Sequence, residues 1–438
     1  MCTLDVECVS NGEAGVCTPQ GFCAFPDPDC ESGQRFEPGA GGGLAGECTP
    51  ACGAPGQACC ATEQAALACA PGVSCATGTC QTCLADLAFG RRFSCALRTS
   101  GAVLCAGENG AGQLGVGATG DPTADPRQVT DTASNLVADA TAIGAGREHA
   151  CAVRANGEVW CWGSGFGALA TQIQKTDGTP LTGIVEVQGG YDFTCARDAS
   201  QLWCWGNNGS GQLGDGTLTA RGQAAPIGLA NVASFAIGGL HACATDTAGA
   251  VSCWGENANG QIGDGTTNDA VSPLHILDGV KIAPGMWHTC AQQGDGTITC
   301  WGWAGHGRLG YGQNYNGNEL APVMVLDTTQ TMPFTGATAL AAGAVTCAIT
   351  GDSHVHCWGD DQYGQTGTGA GSFVPVEVIL ADAKPLANAD RLIAHFAHVC
   401  AHRTDGTFFC WGRNTEGALG DGTLLNRGLA TPLTASCP

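Results

Sequence analysis

The fold is decided by residues 241–266, HACATDTAGAVSCWGENANGQIGDGT, because this stretch returns six more times along the chain with small changes. The other copies begin at Phe93, His149, Phe193, His288, Val345 and His398. A Trp-Gly dipeptide recurs at Trp162, Trp205, Trp254, Trp301, Trp358 and Trp411, and Ala106-Gly107 replaces it in the first copy. The spacing, roughly 40 to 60 residues, is typical of one four-stranded blade per repeat. The sequence therefore predicts an all-β, seven-bladed β-propeller.

Each copy also holds two cysteines on either side of a short turn. In the second copy, counting outward from Ala155-Asn156-Gly157 sets Cys151 opposite Cys161 in a hairpin. The third copy is one residue shorter here, yet its turn is shorter too, and Cys195 still faces Cys204. We therefore predict seven cross-strand disulfides: Cys95–Cys105, Cys151–Cys161, Cys195–Cys204, Cys243–Cys253, Cys290–Cys300, Cys347–Cys357 and Cys400–Cys410.

Charge and cysteine content indicate which partners and which cellular compartment suit the protein. The chain has 438 residues, 28 cysteines and a formal net charge of −22. An acidic chain is a poor partner for nucleic acid, since phosphate contacts need basic residues. Many cysteines indicate an oxidising compartment, so we predict a secreted protein or one on the outer cell surface. The sequence contains no apolar run that could cross a membrane, and its first residues, MCTLDVEC, lack signal-peptide features. We interpret it as an exported form without its leader.

Composition changes near residue 83. Residues 1–83 hold thirteen cysteines and few large apolar residues, so this part depends on disulfides rather than on a core. We predict two Cys-rich modules, 1–26 and 27–83, before a propeller at 84–438. A zinc cluster is the competing interpretation, but no histidine precedes His149 and the thiols are too many for one site.

Ring closure gives the last cysteine a partner. The hairpins use fourteen cysteines, which leaves Cys437 near the end of the chain. Cys83 comes just before the first inner strand, predicted at residues 84–89. Because a ring brings its two ends together, we predict a Cys83–Cys437 disulfide.

The pattern Gly-x-x-His-x-Cys-Ala … Cys-Trp-Gly-x-Asn-x-x-Gly-Gln-Leu-Gly resembles the repeat of the regulator of chromosome condensation family over residues 84–438. The resemblance implies seven blades but constrains function only loosely, because the same propeller serves as a nucleotide-exchange factor, a chromatin reader and a secreted inhibitor of β-lactamases. The cysteines from Cys52 to Cys80 resemble cystine-knot miniproteins and the Cys-rich modules of exported bacterial proteins. This implies pairs Cys52–Cys69, Cys59–Cys75 and Cys60–Cys80, although spacing alone leaves fifteen arrangements open.

The histidines and carboxylates do not form a catalytic or metal-binding pattern. His149, His241, His288 and His398 recur at one blade position, which favours a structural role over four catalytic bases. The Asp-Gly-Thr triplets at Asp215, Asp264 and Asp421 lack the further carboxylates of a calcium loop and are predicted to be turns. The sequence presents no set of nucleophile, base and orienting group. We expect no enzymatic activity, no metal and no cofactor.

Recognition residues are expected in the turn that precedes each hairpin. These turns should surround one mouth of the channel, and they carry aromatic and arginine residues of the kind that dominate interfaces. The candidates are Arg91, Arg92, Arg147, Glu148, Tyr191, Asp192, Leu240, Met286, Trp287, Ala344 and Phe396, together with Trp303 after the fifth Trp-Gly. We expect Tyr191, Trp287 and Phe396 to be exposed there. The alternative is scattered surface aromatics without a partner.

These observations favour a secreted or cell-surface bacterial scaffold that is not an enzyme and that presents this rim to a protein or a surface polymer. Two alternatives remain open at this stage. One is a secreted inhibitor of an enzyme. The other is a polysaccharide-active propeller enzyme, which would need carboxylates converging at the channel mouth.

Overall fold

The structure, a computed structural model, describes residues 84–313 and 315–433 in full. Between residues 9 and 82 it describes only the backbone of seven short strands. They are β1 (Val9–Ser10), β2 (Glu13–Ala14), β3 (Val16–Cys17), β4 (Cys23–Pro26), β5 (Gln34–Phe36), β6 (Val73–Ala76) and β7 (Thr79–Thr82). The boundaries of the predicted modules 1–26 and 27–83, their disulfides and the Cys83–Cys437 pair lie outside what the structure describes.

The chain divides into two compact units. The larger one, Leu84–Thr404 with Phe408–Leu433, is a β-propeller of seven four-stranded antiparallel sheets, as the repeats predict. Blade 1 contains β8 (Leu84–Phe89), β9 (Phe93–Arg98), β10 (Val103–Asn109) and β11 (Gly120–Gln128). Blade 2 contains β12 (Ala140–Ala145), β13 (His149–Arg154), β14 (Val159–Gly163) and β15 (Gly167–Gln172). Blade 3 contains β16 (Glu186–Gly189), β17 (Phe193–Arg197), β18 (Gln201–Gly206) and β19 (Arg221–Ala230).

Blades 4 and 5 contain β20 (Val232–Ile237), β21 (His241–Asp246), β22 (Ala250–Gly255), β23 (Ala270–Asp278); β24 (Lys281–Pro284), β25 (His288–Gln292), β26 (Ile298–Trp303) and β27 (Asn318–Met324). Blades 6 and 7 contain β28 (Ala337–Ala342), β29 (Val345–Thr350), β30 (Val355–Gly359), β31 (Ser372–Glu377); β32 (Ala389–His395), β33 (His398–Arg403), β34 (Phe408–Gly412) and β35 (Arg427–Pro432). A 3-10 turn, Gly305–Gly307, follows β26. Across the described residues, no helix has the length and apolar character that a membrane crossing requires.

The first strand of every blade lines the central channel. These strands contact one another in a closed series, β8, β12, β16, β20, β24, β28, β32 and back to β8. Closure between blades 7 and 1 uses polar contacts: Arg391 binds Asp86 at 3.0 Å, and His395 Nδ1 lies 2.6 Å from the carbonyl oxygen of Phe89. Each blade is therefore built from consecutive strands, and the ring closes through side chains and first-strand packing.

Ring closure provides a test of the Cys83–Cys437 prediction. Replacing both cysteines with serine should lower the melting temperature, because a link across a ring of about 350 residues removes up to about 5 kcal/mol of denatured-state entropy. Thermal unfolding followed by circular dichroism measures the effect. A melting curve identical to that of the unmodified chain would contradict the disulfide, since the contacts between β32 and β8 would then suffice.

The hairpin disulfides are present in all seven described blades. Cys243 is paired with Cys253 in the β21–β22 register, and their Cα atoms lie 4.1 Å apart. The shortened third repeat keeps its register too, with Cys195 opposite Cys204. All fourteen sulfur-bearing residues of these bridges are 0–2 % exposed. The middle strands are covered by neighbouring blades on both faces, and this explains their small side chains, such as Ala150 and Ala152 of β13.

The tryptophans of the Trp-Gly dipeptides pack between adjacent blades. All six are 0 % exposed. The indole nitrogen of Trp254 in blade 4 donates to the carbonyl oxygen of Gln212 in blade 3 at 3.0 Å, and Trp162, Trp301 and Trp411 make the same bond to Gln113, Gln261 and Gln365. These carbonyls belong to the loop between the third and fourth strands, which we call the crossing loop, residues 207–220 in blade 3.

Candidate functional site

The seven turns between first and second strands lie side by side around the channel, and backbone hydrogen bonds join them in order from blade 1 to blade 7. We call this set the turn ring: residues 90–92, 146–148, 190–192, 238–240, 285–287, 343–344 and 396–397. Its amides bond from blade to blade, from Arg91 to the Arg147 carbonyl, Arg147 to Gly190, Tyr191 to Gly239, Gly239 to Gly285, Met286 to Gly343 and Ala344 to Phe396, over 2.6–3.1 Å. The predicted recognition turns thus lie together at one end of the channel.

Two aromatic side chains reach across this end. Tyr191 of blade 3 and Phe396 of blade 7 stack with their ring centroids 5.6 Å apart, and the Arg147 guanidinium lies 5.8 Å from the centre of the Tyr191 ring. Burial raises the pKa of Tyr191, and nearby Glu256 raises it further, while Arg147, Arg91 and Arg308 oppose that shift. Charges from several blades therefore meet at this phenol.

The expectation that Phe396 is exposed is wrong. Its side chain is only 3 % exposed, because it is covered by Tyr191 and by His395, whose ring centroid lies 4.5 Å away. The backbone of Phe396 has a φ of 49°, an unusual conformation for a bulky residue. Tyr191 and Trp287 are half-buried rather than fully exposed.

An aromatic and arginine cluster occupies the blade 5 side of the turn ring. The indoles of Trp287 and Trp303 meet edge to face at a centroid distance of 5.3 Å. The Arg308 guanidinium lies 4.2 Å from the Trp303 ring centre and 5.3 Å from that of Trp287. Such cation–π contacts strengthen when water is excluded. Trp287 and Trp303, both predicted from the sequence, therefore pack against Arg308, which was not predicted.

Arg308 carries a buried charge that has few protein partners. It is 0 % exposed, its Nε donates to the Gly305 carbonyl at 2.7 Å, and both of its terminal nitrogens lack hydrogen-bond partners. Burial lowers its pKa to about 10, and Asp360 and Tyr191 partly counter the effect. The sequence signal was available: Arg308 stands where four other crossing loops have Gln113, Gln212, Gln261 and Gln365.

The remaining candidates are distributed around the turn ring. Arg147 forms a 3.1 Å ion pair with Asp192 of the next blade, and Arg92 lies 3.7 Å from Glu108 and 3.6 Å from Glu416. Arg91 is exposed, Glu148, Leu240 and Met286 are half-buried, and Ala344 is buried. Polar and charged groups therefore surround the central aromatic stack, as at many interfaces.

The repeated histidines are interblade packing residues. The Nε2 atoms of His149, His241 and His288 lie 2.7–2.9 Å from the hydroxyl oxygens of Thr194, Thr289 and Thr346 in the next blade. Burial lowers the pKa of His149 to about 4 and that of His241 to about 3. His398 stacks on Phe89 of blade 1 at 5.4 Å, and burial lowers its pKa to about 3 as well. All four are neutral at pH 7.

The structure also shows what the acidic motifs do. In the Asp-Gly-Thr triplets, Asp215, Asp264 and Asp421 accept hydrogen bonds from the threonine amide two residues later at 2.9–3.0 Å. These are turns that stabilise the crossing loops. Within the part of the chain that the structure describes, no cluster of three or more His, Cys, Asp or Glu side chains could hold a metal ion.

Comparisons with known proteins agree with this architecture. The model of the regulator of chromosome condensation (RCC1) repeat matches residues 85–113, 140–166 and 232–261, which fall in blades 1, 2 and 4. Three of the seven blades therefore match the RCC1 repeat. Among curated proteins, this chain is 34% identical over 182 residues to human "Probable E3 ubiquitin-protein ligase HERC6", a match to 38% of the chain and 17% of that protein.

A second relative is the "Secretion-regulating guanine nucleotide exchange factor" of Bos taurus, 33% identical over 145 residues, 29% of this chain and 30% of the relative. This chain thus spans less than a third of either relative. Human WBSCR16 superposes with a TM-score of 0.60 at 20% identity, covering 76% of this chain and 93% of that one. Yeast RCC1 (Prp20), crystallised with Kap60, has a TM-score of 0.57 at 20% identity, with 71% and 77% covered. At these identities the structural likeness shows the fold alone.

Proposed function

We propose that this propeller is a secreted or cell-surface binding scaffold, without enzymatic activity, that holds a partner protein on the turn ring. One observation carries the proposal. Trp287, Trp303, Tyr191 and several arginines, the residue types that dominate interface energetics, gather at one end of the channel although they come from different blades.

The Arg308 cluster supports a binding role more than a packing role. Packing alone is satisfied in other crossing loops by glutamine, whose side-chain oxygen accepts a backbone amide, as Gln212 does from Ser210 at 2.8 Å. Arginine at this place leaves two buried nitrogens without a partner, which costs stability. A cost of this kind is typical of functional positions.

The described carboxylates give little support to the polysaccharide-active alternative. The channel contains a cavity of about 320 Å³ whose lining includes Asp86 and Glu186. Asp86 is paired with Arg391 at 3.0 Å and Glu186 with Arg197 at 3.2 Å. A catalytic acid and base would need two carboxylates free to exchange protons with a substrate.

Two further observations bear on location and partner. Seven buried disulfides in the propeller fit an oxidising compartment, because cytosolic proteins seldom keep such bonds. Yeast RCC1, which shares the fold, was crystallised bound to another protein, Kap60. Protein binding is therefore proposed here by analogy, and a secreted enzyme inhibitor would be one case of it.

The test is a substitution series on a purified partner, captured first from the medium and surface fraction of the source organism. Trp287→Ala should weaken binding by at least about thirtyfold, because truncating a central aromatic anchor typically costs about 2 kcal/mol or more. Met332→Ala, a 61 % exposed residue in the connection between blades 5 and 6, is the matched control and should bind normally. Binding constants come from titration calorimetry. Equal affinity of unmodified chain and Trp287→Ala would reject the turn ring as the contact surface.

A further inference from the structure

The interface between blades 2 and 3 is built differently from the other six described interfaces. In those six, the crossing loop packs on the next blade: Gly211 lies against Val271, Gly260 against Leu320 and Gly417 against Ala124, for example. In blade 2 only residues 164–166 separate β14 from β15, whereas residues 207–220 separate β18 from β19. Blade 2 therefore has no crossing loop to place on blade 3.

A crossing loop supplies two things to its neighbour. Its carbonyl accepts the indole N–H of the next tryptophan, as Gln212 does for Trp254 at 3.0 Å. The residue that follows fills the interblade core, as Leu213 does with 0 % exposure. Where this loop is missing, both contacts are missing as well.

The structure shows the consequence at Trp205. Its buried indole nitrogen has no hydrogen-bond partner, and one terminal nitrogen of Arg221 is likewise buried and unpartnered. Both residues line a cavity of about 760 Å³, together with His149, Phe166 and Asp192. The Trp358 indole also lacks a partner, but there Gly310 of a complete crossing loop packs against the ring. At the interface of blades 2 and 3, an unpartnered indole and an open cavity therefore occur together.

We propose that this cavity binds a tight turn of a partner protein, which replaces the missing crossing loop. The turn would present a backbone carbonyl to Trp205, an aliphatic side chain to the space between the blades, and a carbonyl or carboxylate oxygen to Arg221. The volume falls within the range of about 300–1,000 Å³ that is usual for ligand sites. The inference rests on the interblade geometry and does not depend on the role of Trp287.

The site opens at the same end of the propeller as the turn ring. In a four-stranded antiparallel blade, the connection between strands three and four returns to the end where strands one and two are joined. Asp192 belongs both to the turn ring and to the cavity lining, and it is paired with Arg147 at 3.1 Å. A partner on the turn ring could therefore insert a turn here as a second contact.

The probe is a cyclised peptide with the sequence of residues 207–216, NNGSGQLGDG, the crossing loop of blade 3. Cyclisation limits the ordering cost of binding. We expect saturable 1:1 binding by titration calorimetry and a shift of the Trp205 indole N–H signal in ¹⁵N NMR. A peptide with aspartate in place of its leucine should not bind. Trp205→Phe should weaken binding about tenfold, the effect of one lost hydrogen bond, whereas Trp254→Phe should not.

A grafted variant, in which residues 164–166 are replaced by residues 207–220, should melt at a higher temperature and should no longer bind the peptide. If the graft does not fold, the comparison of Trp205→Phe with Trp254→Phe decides the matter. No binding of the peptide at millimolar concentration, or binding that Trp205→Phe leaves unchanged, would overturn the proposal. A shift of the Trp205 signal with acetate but not with the peptide would also overturn it, in favour of a small-anion site.

Discussion

Reduction of the hairpin disulfides is expected to unfold the propeller. Each bridge closes a loop of about ten residues, which is worth about 2–3 kcal/mol in the chain-entropy model. Even if real gains are half as large, seven bridges contribute on the order of 10 kcal/mol, comparable with the 5–15 kcal/mol that stabilises a typical domain.

Because the cysteines are buried, the native protein should resist reductant until it is partly unfolded. The experiment therefore reduces and alkylates the chain in denaturant and measures its circular dichroism after refolding, beside an oxidised control taken through the same steps. The single-blade variant Cys243→Ala with Cys253→Ala should lose about 2–3 kcal/mol in urea unfolding. A reduced chain with the spectrum and melting temperature of the oxidised one would contradict the expectation.

Acidification from pH 7 to pH 5 should also destabilise the propeller strongly. The ordinary pKa of histidine is 6.5, and in the folded chain burial lowers it to about 4 for His149 and about 3 for His241 and His398, with His288 also far below its usual range. Between these values the unfolded chain takes up protons that the folded chain does not. Stability therefore falls as the pH falls, by up to about 1.4 kcal/mol per pH unit for each histidine.

Four such groups give a slope of up to about 5 kcal/mol per pH unit below pH 6. Burial raises the pKa of Asp86, Asp192 and Glu256, and these carboxyls act in the opposite direction because the folded chain protonates them first. Urea unfolding at pH 7, 6 and 5 measures the net slope. His241→Gln should reduce that slope by up to about 1.4 kcal/mol per pH unit, because unfolding then takes up one proton fewer. A slope that His241→Gln leaves unchanged would show that this imidazole does not remain neutral in the fold.

The sequence was sufficient to predict the ring because the repeat contains its own register. Equal spacing around each turn places Cys195 opposite Cys204 even in the shortened third copy, and the structure has that pairing. The recurring Trp-Gly dipeptides marked the blades by the same repetition. The pattern predicts these features because every blade packs against its neighbours in the same way.

The candidate site was less predictable because it depends on how different blades meet. The turn ring followed from blade topology, but the stack of Tyr191 on Phe396, and hence the burial of Phe396, depends on side chains separated by about half the ring. Arg308 and the short segment 164–166 were visible only as departures from the repeat. Only the contacts in the structure show what these departures do. Arg308 has two buried nitrogens without hydrogen-bond partners, and the short segment 164–166 leaves Trp205 beside a cavity.

The central claim is that the turn ring is the partner-binding surface, and hydrogen–deuterium exchange of the propeller with and without its purified partner tests it most directly. We expect binding to slow amide exchange in peptides spanning residues 190–192, 285–287, 303–308 and 396–397, while peptides around Met332 exchange as in the free protein. Protection confined to the connections between blades, with no change in the turn ring, would contradict it.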